Sequence, residues 1–153
     1  MVDLILPGTS NIYMRRILIA DDHEIIREGI KQILLEEFSL GHIEEAVDGA
    51  MLVEKAKTGD WDIIISDIAM PRLNGIEALR LIKQQFPKLP VLILSMHSEE
   101  QYTRRILKEG ASGYLCKEAA TKELVTAVKT ILLGQKYISP SLAGKFTEEE
   151  GSH

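Results

Sequence analysis

The chain has 153 residues, 45% hydrophobic and 27% charged, which suits one globular domain with its own core and excludes a disordered chain. Its formal net charge of −5 leaves no electrostatic footprint for gripping nucleic acid directly. The single cysteine, Cys116, reads as a buried free thiol of a reducing compartment, and no apolar run approaches the roughly 18 residues of a membrane span, so a cytoplasmic location without a membrane partner is expected.

Taken in order, residues 1–13 precede "MRRILIADDH", which reads as a domain start at Met14. They are set apart as an N-terminal extension or vector-derived sequence, and "MVDLILPG" lacks the basic n-region of a signal peptide. From there, short apolar runs alternate five times with amphipathic stretches. The spacing predicts strands at Arg16–Ala20, Ile43–Val47, Asp62–Ser66, Val91–Ser95 and Ser112–Leu115. The first, third and fourth are almost continuously apolar, as strands buried on both faces must be.

Between them, Glu24–Glu37 carries Ile26, Ile30, Ile33 and Leu34 on one helical stripe. Lys122–Leu133 carries Leu124, Val125, Val128, Ile131 and Leu132. Ser98 with Gln101 has the form of a capping box, and Gly59, Gly110 and Gly134 stand where left-handed C-terminal caps belong. Pro87 and Pro90 bracket a break before the fourth strand. After the last helix, "GQKYISPSLAGKF" reads as the start of a linker, and "EEEGSH" as acidic linker and tag remnant, so a domain is expected over 14–134 and a tail over 135–153.

The alternation implies an α/β fold, a doubly wound (βα)5 parallel sheet with right-handed crossovers. In such sheets ligands bind beyond the carboxyl ends of the strands. Those ends carry Asp21 and Asp22, then Asp67 at the close of "WDIIISDIAM", then Ser95, with Lys117 just past the fifth strand. Singly, each has a plain alternative: helix cap, turn residue, polar strand end or solvated charge. If the first and third strands are neighbours, as in a 2-1-3-4-5 order, three carboxylates converge, and such a cluster calls for a cation. Hard oxygen ligands suit Mg²⁺. A carboxylate nucleophile, a divalent cation, a lysine and a hydroxyl around one point suit phosphoryl transfer onto aspartate.

The segments "ILIADDHE", "IIISDIAMPRLNGIEAL", "VLILSMHSEE" and "GASGYLCKEA" resemble the receiver domain of bacterial two-component response regulators, over about Arg15 to Leu133. "DDHEIIREGI", "LSMH" and "CKE" most resemble the NarL/FixJ (LuxR-type) subgroup of transcription regulators. The resemblance implies the flavodoxin-like fold with strand order 2-1-3-4-5. It implies Asp67 as phospho-acceptor, and Mg²⁺ held by Asp21, Asp22, Asp67 and the backbone carbonyl of Ala69. Ser95 and Lys117 would bind the phosphoryl group, and Tyr114 would be the aromatic switch residue, rotating into space that Ser95 vacates. The implied partners are a sensor histidine kinase, a second copy of the chain on phosphorylation, and DNA only through a C-terminal helix-turn-helix domain outside this chain.

Three positions depart from the common pattern. Ser95 stands for threonine, Glu118 follows the lysine where proline is frequent, making a cis bond less expected, and Met96 replaces a small residue. Met96 is expected to slow access by water, which equal dephosphorylation rates in Met96→Ala would refute. His23 is set aside as a metal ligand because Mg²⁺ prefers oxygen, and His97 reads as a surface group or a tuner of access. Arg104, Arg105 and Lys108 read as a solvated basic face or a partner contact. The rival reading is an aspartate-nucleophile phosphohydrolase of the haloacid dehalogenase type, which needs a second acid where this chain has Ala69.

Overall fold

The computed structural model describes residues 15–38, 40–96 and 100–140. Six strands lie parallel in one sheet: β1 (Arg15–Ala20), β2 (Leu40–Ala46), β3 (Ile63–Asp67), β4 (Val91–Ser95), β5 (Gly113–Cys116) and β6 (Tyr137–Ile138). Their order is β2-β1-β3-β4-β5-β6, the expected flavodoxin-like order with one strand added. The crossovers are α1 (Glu24–Glu37), α2 (Gly49–Thr58), α3 (Gly75–Gln85), α4 (Glu100–Lys108) and α5 (Ala120–Leu132), with a 3-10 turn at Lys117–Ala119 before α5.

The isoleucine run in β3 is continuous because the sheet is covered on both faces. Ile63 and Ile65 join Ile17, Ile19, Leu34 and Leu124 in one core layer, while Ile64 joins Leu18, Leu79 and Ile93 in the other. Each strand thus feeds two cores with alternate residues. The predicted stripes settle into the first of these: Ile30 and Leu34 of α1 and Leu124, Val128 and Ile131 of α5 are buried, and Ile26, Ile33, Val125 and Leu132 half-buried beside them. Cys116 is a buried free thiol, as expected.

Some local expectations change. Gly110 and Gly134 have positive φ, 111° and 90°, but Gly59 is extended, with φ −132°. Its need for glycine is spatial: a Cβ there would lie 2.5 Å from Cε2 of Trp61, whose indole donates to the Lys55 carbonyl at 2.9 Å. Strand β2 starts at Leu40 and stops at Ala46, leaving Val47 exposed. No cis peptide bond occurs among the described residues, so Lys117–Glu118 is trans. The tail expected from residue 135 contributes β6, paired with β5 through Gly113↔Tyr137 and Tyr114↔Ile138. Residues 1–14, His97 and Ser98, with the capping box proposed for it, lie outside the described residues.

Candidate phosphoryl-transfer site

Parallel strands present all their carboxyl ends on one edge, and the acidic residues collect there. Asp67 ends β3 and is 3% exposed. Asp21 follows β1, is fully buried, and is kept in line by its N–H, which donates to the Ala46 carbonyl at 3.1 Å. One ligand atom from each of Asp21, Asp22, His23 and Asp67 lies within 4.8 Å of the others. From the far side Lys117 Nζ reaches Asp21 Oδ2 at 2.9 Å and Asp67 Oδ2 at 3.2 Å.

The charges are not balanced within this group. Burial, then the Asp21 charge, push the Asp67 carboxyl above its ordinary value, against the pull of Lys117 and the Ala69 N–H. Burial alone would lower the Lys117 ammonium, but the Asp21 contact and both carboxylate charges raise it on balance. The Lys117 contact to Asp21 Oδ2 is close but lies off the hydrogen-bond direction. That buried oxygen therefore has a charge partner and no hydrogen-bond donor. An acidic cluster in which two buried carboxylates share one lysine, with an exposed side at Asp22 and Ala69, fits a hard divalent cation such as Mg²⁺.

His23 enters the cluster more closely than its sequence position suggests. Its Nδ1 lies 3.1 Å from Asp21 Oδ1 and 3.0 Å from Asp22 Oδ1. It is also the N-cap of α1, so neither aspartate caps that helix. Asp21 does serve the turn, accepting the His23 N–H at 2.8 Å, and Asp67 accepts that of Ala69 at 3.3 Å. Ser95 ends β4 and is fully buried. Tyr114 is fully buried too, but in the core layer of Ile93, Ile106 and Ala111 and outside the acidic cluster. Met96 is 69% exposed.

Several supporting residues escaped sequence reasoning. Arg27 bridges from α1 to the Asp21 carbonyl, 2.8 Å, and to Glu45, 2.7 Å. The loop after Asp67 is pinned at both ends. Asn74 caps α3 by accepting the Glu77 N–H at 2.9 Å, and a Cβ on Gly75 would lie 2.6 Å from the Asp67 carbonyl oxygen. At Gly49 a Cβ would fall 1.8 Å from the Leu73 carbonyl oxygen, so the start of α2 and the β3–α3 loop interlock. Beside it Arg72, at φ 69°, pairs with buried Asp48 at 3.4 Å. The sequence signal for this lock was the short "DG" at 48–49, which reads only as a turn.

The response regulator receiver domain family matches residues 17–129. Among curated relatives, the transcriptional regulatory protein DegU of Brevibacillus brevis is 41% identical over 88% of this chain and 57% of its own length. The response regulator UvrY of Escherichia coli K12 is 34% identical over 85% of this chain and 60% of its own. The chain therefore spans less than two thirds of these relatives. A crystal structure of a LuxR-family two-component response regulator from Aurantimonas matches with a TM-score of 0.84 and 33% identity, over 90% of this chain and 98% of that one. Nothing among these matches supports the phosphohydrolase alternative, and the exposed methyl of Ala69 stands where that chemistry needs an acid.

Proposed function

This chain belongs to the response regulator receiver domain family, of the two-component NarL/LuxR type, and from that premise we propose that Asp67 is its phospho-acceptor. The observation that carries the reading is the contact of buried Asp67 with Lys117 inside an acidic cluster at the carboxyl edge of the sheet. An Asp67 oxygen attacks phosphorus, the P–N bond to the imidazole of a kinase phosphohistidine breaks, and an aspartyl phosphate forms. Asp21, Asp22, Asp67 and the Ala69 carbonyl would hold Mg²⁺, which when bound neutralises the carboxylates and the phosphoryl oxygens. Lys117 moves little to meet the phosphoryl group, since it already touches Asp67. Ser95 offers a hydroxyl from the next strand end, and Tyr114, the register partner of Ile93 and so on the same face as Ser95, reports the change.

The product is a signal and not a released metabolite, because no acid stands at Ala69 to hasten its hydrolysis. In the whole protein the phosphorylated domain would pair with a second copy and act on a C-terminal helix-turn-helix domain, all in the cytoplasm. Among the described residues no helix is long and apolar enough to cross a membrane. The test is incubation with acetyl phosphate and Mg²⁺ followed by intact-mass measurement. One base-labile phosphoryl adduct is expected, absent in Asp67→Asn. Steady turnover of phosphate esters, or no adduct from either acetyl phosphate or a kinase, would overturn the reading.

A further inference from the structure

The segment after α5 is built into the sheet at a particular point. Gly134, at φ 90°, turns the chain back, and the Tyr137 N–H donates to the Ser112 carbonyl at 3.0 Å as β6 begins. The approach is close: a Cβ on Gly113 would lie 2.8 Å from the Tyr137 carbonyl oxygen. On the α5 side the Tyr137 hydroxyl donates to Glu123 Oε1 at 2.7 Å, and the hydroxyl of buried Ser139 to Oε2 at 3.2 Å. One carboxylate thus holds two residues of the segment. Burial, then this bond to Glu123, push the Tyr137 phenol up to about 12, so its proton stays in place at physiological pH.

On the opposite face Ile138 is the register partner of Tyr114 and packs against the core layer that contains it. Partners in a parallel ladder present their side chains to the same face. Strand β5 is four residues long. Its start pairs with β6, and the residue just past its end, Lys117, contacts Asp67. So short a strand cannot shift at one end without disturbing the other.

We propose that residues 137–139 form a clasp coupled through β5 to the Asp67 site, closed when Tyr114 is seated inward, so that the acceptor controls how firmly the chain beyond Pro140 is held. The inference rests on Asp67 being the phospho-acceptor. Coupling is reciprocal: if a phosphoryl mimic at Asp67 tightens the clasp, loosening the clasp weakens binding of the mimic. Tyr137 and Glu123 bond to each other and not to Asp67 or Lys117, so their effect on the site is transmitted through β5 and the start of α5.

The experiment uses the 153-residue chain, its Tyr137→Phe and Glu123→Gln variants, and beryllofluoride with Mg²⁺ as probe. Amide hydrogen exchange of residues 137–139 and beryllofluoride affinity are both measured. In the parent chain beryllofluoride is expected to slow exchange of the Tyr137 amide. Both variants should exchange faster there and bind beryllofluoride at least about fivefold more weakly, the lower end of ordinary coupling between sites. Variants that lose protection yet bind with parental affinity would overturn the proposal, as would variants that keep full protection. Binding that leaves exchange at 137–139 unchanged would overturn it too. A parent chain that binds no beryllofluoride would instead overturn the acceptor reading and the coupling with it, while faster exchange in the variants would still reveal the clasp's hydrogen bonds.

Discussion

Glu44 and Glu45 lie near the end of β2, and Asp21 and Asp67 at the ends of β1 and β3, yet their charges are balanced in opposite ways. Glu45 receives Arg27 and Lys31, each at 2.7 Å. Glu44 receives His42 at 2.6 Å and Lys55 at 3.3 Å. Both glutamates sit below the ordinary carboxylate value, Glu45 mainly through its bond to Lys31 and Glu44 through His42. In the crevice Asp21 and Asp67 share one lysine, and burial holds Asp67 above its ordinary value. A saturated cluster holds the edge of the sheet together. One short of positive charge stores a demand that a divalent cation can meet.

The sharpest way to break the contrast is Asp67→Asn. It should abolish the phosphoryl adduct completely by intact mass. It should also stabilise the fold at neutral pH, because a carboxyl whose folded pKa is raised costs stability wherever it is ionised. That cost disappears as pH falls below the ordinary 3.8, so the gain in denaturation midpoint should shrink toward acid. Next in size, Lys117→Met leaves two buried carboxylates facing each other. A loss of about 3 kcal/mol is expected in urea unfolding at neutral pH, with Mg²⁺ restoring part of it.

Gly49→Ala tests whether the loop after Asp67 depends on its lock. The added methyl must displace the Leu73 carbonyl, so a loss of about 1–3 kcal/mol and slower phosphorylation by acetyl phosphate are expected. An unchanged rate at reduced stability would separate the lock from the site. The smallest effect belongs to the saturated cluster: Glu45→Gln should lower the denaturation midpoint slightly at neutral pH and leave phosphorylation alone. Glu45 adds stability above its ordinary value of 4.5 and loses it as pH falls through its lowered folded value. Parent and variant should therefore converge in acid.

Much of this contrast was legible in the chain before any coordinates. "RILIA", "DIIIS" and "VLILS" announce strands buried on both faces, and the charged residues that follow them must then share one edge. Period and punctuation placed Asp21, Asp67, Ser95 and Lys117 because strand ends in a parallel sheet are a matter of local pattern and topology. The saturated cluster was invisible, since Arg27, Lys31, Glu45 and Lys55 are ordinary surface residues until α1, α2 and β2 meet. His23 looked like a stray imidazole for the same reason.

The sequence by itself determined the alternation of strand and helix, the two-faced core and the identity of the acidic residues, because each depends on side-chain period and residue chemistry over a few positions. Only the tertiary structure decided which charges find partners. It also decided that Gly49 and Gly113 admit a neighbouring carbonyl, and that Tyr137–Ile138 is a sixth strand held by Glu123. Those outcomes depend on distances between segments far apart in the chain, and pairing across such distances leaves no periodic trace in a single sequence.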